Sequence, residues 1–293
     1  MRKLFTLISL FTAFMMTANP PAVELKLWPD GAPNSNGLTP ENESGEPSFI
    51  MGISEPILYV YPASNPNGTA IIMLPGGAYM GVAMEHEGHD MADWFNTMGV
   101  TYAVLKYRMP NGHSDVSLSD AEQAVRLMSE HAGEWGINPQ SIGIMGASAG
   151  GHLATTLATH YSSETTRPAF QVLFYPVVSM QDDITHFGSR EALLGKSFTK
   201  ADVDNFSNEL HVNANTPKAF IMVSADDNTV PLAHTLRYVQ ALTDAGVHSA
   251  VHIYPVGGHG WGFHDSFPYK NNWTAELRDW LIREVFTPVT KND

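Results

Sequence analysis

Cysteine is absent from the 293 residues, which excludes disulfides and also excludes lipid attachment to a cysteine behind an export signal. Basic residues are scarce: 16 Lys and Arg stand against 30 Asp and Glu, a formal charge of −14. No Lys/Arg cluster exists beyond the first three residues, so a phosphate backbone would be repelled and nucleic acid is excluded as a partner. Long apolar runs are missing except Leu4 to Met16, which is shorter than the ~20 residues a bilayer span requires. Internal repeats, low-complexity tracts and linkers are missing too, and one large domain is the expectation for a chain of this length.

That single apolar run has the layout of a secretory signal. Arg2 and Lys3 precede it, and the small residues Thr17 and Ala18 follow. Residues 1–18 are therefore expected to be a signal peptide, cleaved near Ala18, with 19–293 forming one folded domain. Export to the periplasm or the outside of a bacterium follows, with no membrane span once the signal is removed.

From Pro20 to Ser48 the chain is dense in Pro, Gly, Asn and Glu, and a surface loop is expected there. Beyond it, short apolar runs bounded by turn residues recur at Ile57 to Tyr61, Ala70 to Leu74, Thr101 to Tyr107, Ser141 to Met145, Phe170 to Tyr175, Ala219 to Ser224 and Ala250 to Tyr254. Stretches of helical period separate most of them. This alternation predicts an α/β fold with a mostly parallel sheet covered by helices on both faces. Ser119 followed by Glu122 predicts a capping box that starts one helix. Leu232 to Ala245, ended by Gly246, and Trp273 to Phe286 predict two more.

The segment Ser141 to Ala154 (SIGIMGASAGGHLA) runs from an apolar strand through G-x-S-x-G into an Ala-rich helix. Small residues on both sides of Ser148 permit the tight turn that lifts a hydroxyl clear of a sheet, and the helix N-terminus favours negative charge developing there. Ser148 is the candidate nucleophile. A carboxylate at the end of the strand Ala219 to Ser224 is placed to orient an imidazole, and two adjacent residues, Asp226 and Asp227, compete for that role. Among 13 histidines, His259 stands out in Gly257 to Trp261 (GGHGW), because its glycine flank lets the ring swing over a nucleophile. His264 is the rival in the same loop but lacks that flank. His248 and His252 read as surface or packing groups, His152 as a hydrogen-bonded packing residue, and His160 and His234 as incidental.

These pieces, taken in order, resemble an α/β-hydrolase, and more narrowly the bacterial acetyl xylan esterases and related carbohydrate esterases. The matching segments are Leu27 to Pro33 (LWPDGAP), Leu74 to Tyr79 (LPGGAY), Trp135 to Pro139 (WGINP), Gly146 to Gly150 (GASAG), Asp227 to Pro231 (DNTVP) and Tyr254 to Gly260 (YPVGGHG). They cover nearly all of the chain after the signal. The resemblance implies a Ser148, Asp227, His259 triad and selects Asp227 over Asp226, which is left as a turn or capping residue. It also implies an oxyanion hole in the Pro75 to Ala78 loop, with Gly77 and Ala78 donating alongside Ala149; here Pro75 and Ala78 replace the outer residues of the His-Gly-Gly-Gly loop of esterases. The activity implied is deacetylation of xylan or its oligosaccharides through an acyl-serine, without a cofactor. A neutral His259 is needed as base, so activity should fall below about pH 6 to 7.

Several features are weighed beside that core. Glu85 to Asp90 (EHEGHD) carries two histidines beside carboxylates but no third ligand at diagnostic spacing, so no metal is assigned; Glu85 and His86 are candidates for lining the substrate cleft. Tyr79 and Trp261 flank the catalytic loops and are candidates for stacking on a sugar ring. Asp182 and Asp183 read as solvated carboxylates, and Gln181 to Val212 as a cap over the cleft. The alternatives are a broad carboxylesterase or lipase, a peptidase of the prolyl oligopeptidase type, and an inactive hydrolase-fold carbohydrate-binding protein. The chain is too short to hold the propeller domain of the peptidase type. A binding module has no reason to keep all three of Ser148, Asp227 and His259.

Overall fold

The computed structural model describes residues 23–286; the expected signal peptide and its cleavage site lie outside them. Eleven strands are present among the described residues: β1 (Val23–Lys26), β2 (Ser44–Glu46), β3 (Phe49–Met51), β4 (Ile57–Tyr61), β5 (Gly68–Leu74), β6 (Gly81–Val82), β7 (Thr101–Lys106), β8 (Ile137–Ala147), β9 (Phe170–Phe174), β10 (Lys218–Ser224) and β11 (Ser249–Tyr254). The helices are α1 (Ala92–Asn96), α2 (Asp115–Glu130), α3 (Ala132–Trp135), α4 (Ser148–His160), α5 (Phe187–Leu194), α6 (Lys200–Asn205), α7 (Ala233–Asp244) and α8 (Lys270–Trp280), the last continued by a π-helical turn over Leu281–Val285.

Eight strands form one sheet in the order β1-β4-β7-β5-β8-β9-β10-β11. β1 and β4 run antiparallel at one edge and the pairs from β7 to β11 are parallel. The seven apolar runs read from the sequence all appear in this sheet. Their continuous apolar character has a direct cause: β7, β9 and nearly all of β5 and β10 are buried on both faces, so neither face needs polar residues. β2, β3 and β6 make a separate small antiparallel sheet.

From β5 the chain first moves to β7 on one side and then crosses to β8 on the other, so the connections diverge between β5 and β8. Ligands of open α/β sheets bind in the crevice that such a reversal opens beyond the strand ends. Leu74 at the end of β5 is level with Gly146 in β8. The Gly76–Gly77 loop and Ser148 thus emerge side by side.

Two expectations about local structure are corrected. The Pro20 to Ser48 segment is not only a surface loop: it supplies β1, an edge strand of half-buried Val23 and Leu25, and β2. Side chains also pin it, since buried Asn36 donates from Nδ2 to Ile53 O and Met109 O, and half-buried Trp28 donates from Nε1 to Asp120. Nor does Ser119 cap a helix. α2 begins four residues earlier, Ser119 Oγ donates to Val116 O within it, and Glu122 is drawn into bonds with Ser162 and Arg126. A four-residue pattern can satisfy a capping rule and still lie inside a helix that tertiary contacts have lengthened.

Two buried histidines fasten the α4 and α7 layer to the segment over the sheet. His152 donates from Nε2 to Phe206 O and receives the Tyr79 hydroxyl on Nδ1. His234, which the sequence made incidental, is fully buried; its Nδ1 accepts from Val178 N and Ser179 N while Nε2 donates to Ile184 O. Burial pushes both pKa values down to about 4. Between that value and the ordinary ~6.5 of histidine, the unfolded chain binds more protons than the folded one. Their contribution is therefore fully present above about pH 6.5 and is lost as pH falls toward 4. Urea denaturation at pH 7, 6 and 5 should show stability dropping, and His234→Gln should remove roughly 1 kcal/mol per pH unit from that slope. An unchanged slope in the variant would mean that His234 is protonated equally in both states.

Candidate active site

Three side chains read from distant parts of the sequence meet at the β5–β8 crevice. His259 Nε2 lies 2.8 Å from Ser148 Oγ, and His259 Nδ1 lies 2.6 Å from Asp227 Oδ2. The other Asp227 oxygen accepts from the backbone N–H of Thr229 and Val230, both at 2.9 Å, so the carboxylate is buried and fully oriented. With Asp227 accepting, the Nδ1–H tautomer leaves Nε2 free to take the serine proton. Asp226 points away, exposed, and accepts from Gly258 N at 2.8 Å, which steadies the loop that carries His259. His264 is not in this chain of bonds; it stacks on His86 at 4.2 Å.

Ser148 has φ +52°, the left-handed region that a non-glycine residue rarely adopts, and it is the first residue of α4. The turn is possible because Gly150 carries no side chain: a Cβ there would lie 2.0 Å from Leu74 O. α4 therefore packs its first turn directly on the end of β5. The N–H groups of that turn, Ala149 among them, face the side where negative charge would develop.

The opposite wall is the loop after β5. Gly77 has φ +145°, and Ala78 and Tyr79 follow at +57° and +58°. Gly81 N and Met80 N close the turn by donating to Gly77 O. A Cβ on Gly77 would meet Gly81 O at 2.2 Å, so only glycine fits. The N–H of Gly76 is engaged by Glu87 Oε2 at 2.8 Å and so is not available to an oxyanion.

Glu87 is the residue that sequence reasoning missed. It is buried, takes Gly76 N on one oxygen and the Tyr175 hydroxyl on the other at 2.6 Å. Tyr175 Oη in turn accepts from Gly262 N at 2.9 Å, and its ring lies 4.6 Å from that of His259. One carboxylate thus ties the oxyanion-side loop to the histidine loop. Glu87→Ala should lower kcat on an aryl acetate by about a hundredfold, the cost of a small misplacement of catalytic groups, while the far-ultraviolet circular dichroism stays native. Wild-type kcat in a folded variant would refute the linkage. The available signal was Glu87 itself, set among polar neighbours that disguised it as part of a solvated stretch.

The four candidate substrate contacts fare differently. Tyr79 is 1% exposed with its hydroxyl bonded to His152, so its ring is held in packing and only its edge borders the concave region beside the loop. Trp261 is also buried, stacked at 4.0 Å on Phe267 with Nε1 bonded to Ser224 Oγ, and cannot stack on a ligand. His86 is half-buried; burial lowers its pKa, against the effect of Glu87, and its carbonyl accepts from Phe263 N. Glu85 is exposed beside it. Both flank the histidine loop. The Gln181 to Val212 segment contributes α5 and α6, and His186 at the N-cap of α5 is close enough to His259 and Asp227 to feel their charges. Asp182 and Asp183 are exposed and paired with Arg190 and Arg237.

The acetylxylan esterase of Xylanibacter ruminicola is 39% identical over 221 residues, 74% of this chain and 46% of that protein. Endo-1,4-beta-xylanase B of Butyrivibrio fibrisolvens is 31% identical over 209 residues, 65% of this chain and 32% of that protein. The chain spans less than half the length of these two curated relatives. Among solved structures, the acetyl ester-xyloside bifunctional hydrolase of Caldicellulosiruptor lactoaceticus matches with a TM-score of 0.77 at 32% identity, covering 92% of this chain and 98% of that one. The family model for the alpha/beta hydrolase fold matches residues 71–263, from β5 to the loop that carries His259, and this chain belongs to that family.

Proposed function

We propose that this chain is a serine carboxylic-ester hydrolase that removes acetyl groups from xylan or its oligosaccharides. The observation that carries the chemistry is the unbroken chain from Ser148 Oγ through His259 to the buried Asp227 carboxylate. His259 Nε2 takes the Ser148 proton as Oγ attacks the acetyl carbonyl, and the N–H groups of Gly77, Ala78 and Ala149 receive the oxyanion. The bond between the carbonyl carbon and the sugar oxygen breaks, and His259 gives its proton to that oxygen, which departs as a sugar hydroxyl. Water, deprotonated by His259, then cleaves the acetyl-serine, releasing acetate and restoring Ser148.

The substrate reading draws on the esterase and xylanase names of the relatives and on the xyloside hydrolase structure, each of which is said of those proteins. Export through residues 1–18 belongs to the same proposal and rests on the Arg2, Lys3 and Leu4 to Met16 layout. The test is release of acetate from acetylated xylan, acetylated xylo-oligosaccharide and a simple aryl acetate. Cleavage of the saccharide esters is expected. Cleavage of the aryl ester alone would remove the carbohydrate reading and leave a general carboxylesterase.

A further inference from the structure

A second concave region opens beside the site. It has a volume of about 580 Å³ and lies between the turn that follows Gly77 and Ala78, represented by Met80, and one side of α5, represented by Gly188, Glu191 and Ala192. One wall adjoins the oxyanion-side turn, and the other belongs to the helix whose N-cap is His186. Met80 N bonds Gly77 O in the oxyanion-side turn. At the other wall, His186 caps α5 within electrostatic reach of His259. At the far end Gly112 N donates to Ala192 O at 2.8 Å, and a Cβ on Gly112 would lie 3.3 Å from Gly195 Cα.

We infer that this cleft is the subsite for the xylosyl leaving group of the acetyl ester, and that Met80, Glu191 and Ala192 set specificity for it. The inference rests on the substrate reading above. Size excludes the acetyl group as its occupant: three heavy atoms would leave a cleft in the ~300–1,000 Å³ range of small-molecule pockets almost empty. Its lining is mixed. Met80, Met109 and Ala192 offer apolar surface, whereas Asn111, Glu191 and Lys196 offer polar groups at the rim. A pyranose ring has that same division, with C–H faces and a ring of hydroxyls, whereas a fatty alcohol would leave the polar rim unpaired. Met80 lines the cleft and is 57% exposed, so its side chain is open to a ligand. Glu191 and Lys196 are exposed, with Oε1 and Nζ 3.7 Å apart, and can exchange that weak pairing for bonds to sugar hydroxyls.

Ala192→Trp fills the cleft, and Glu191→Ala removes a polar group from its exposed rim. With acetylated xylotriose, kcat/KM should fall about tenfold or more for Ala192→Trp and about threefold for Glu191→Ala, mainly through KM, while kcat/KM on an aryl acetate stays within about twofold. Calorimetry on the Ser148→Ala protein should detect xylotriose binding that Ala192→Trp abolishes. Xylotriose binding unchanged by Ala192→Trp, or equal losses on both substrates for Glu191→Ala, overturns the subsite while leaving the esterase reading intact. No xylotriose binding to Ser148→Ala, together with aryl acetate turnover by the parent protein, overturns the carbohydrate reading and the subsite with it.

Discussion

Ser148→Ala should lower kcat on an aryl acetate by about four to six orders of magnitude without lowering thermal stability. The size follows from what is removed. Oγ is the group hydrogen-bonded to His259 Nε2, at 2.8 Å, and without it no acyl-enzyme can form, so only water held near the N–H groups of Gly77, Ala78 and Ala149 remains. The residual rate is expected to lack the pre-steady-state burst that an accumulating acyl-serine produces. Ser148→Gly should be equally inactive yet more stable than the parent by about 1 kcal/mol, because glycine occupies φ +52° without the cost a Cβ imposes. The two variants separate chemistry from strain. If Ser148→Ala retained parental activity, the nucleophile would have to be sought elsewhere. If Ser148→Gly melted below the parent, the turn would not be storing strain.

Such a separation could not be planned from the sequence alone, and the reason is local. G-x-S-x-G states that the turn is tight, but the partner that makes it tight, Leu74 O at the end of β5, is 76 positions from Gly150 and reachable only through sheet order. The strands were legible because burial on both faces leaves an unbroken apolar run, which needs no partner to be recognised. β1 was not, since an edge strand of four residues buried on one face contributes only Val23 and Leu25 to the pattern. Ser148, His259 and the Gly76–Gly77 loop were legible because backbone geometry forces glycine around them. Glu87, Tyr175 and His234 were not, because a carboxylate, a phenol or an imidazole looks the same in sequence whether it faces water or is enclosed and bonded to backbone. Tyr79 and Trp261 failed in the opposite direction: proximity in sequence to a catalytic loop says nothing about which side of the loop a ring packs on. Each has a buried polar atom with a partner inside the protein, which fixes it there.

The same distinction between bonded and solvated carboxylates decides between Asp226 and Asp227. Asp227→Asn should cost about 10⁴-fold in kcat while Asp226→Asn stays within about threefold. In the first variant, Thr229 N and Val230 N demand an acceptor from the side chain, so the amide oxygen must face them and the amide NH₂ must face His259 Nδ1. A donor at that position drives the imidazole proton to Nε2, and Nε2 then has no lone pair for the Ser148 hydroxyl. The geometry survives and the tautomer is wrong. In the second variant the side-chain oxygen still accepts from Gly258 N, and an exposed charge is lost from a loop that does not need it. Steady-state kinetics on an aryl acetate with both proteins settles the assignment, because a reversed pattern would place the imidazole's partner at Asp226 and detach the buried carboxylate from catalysis.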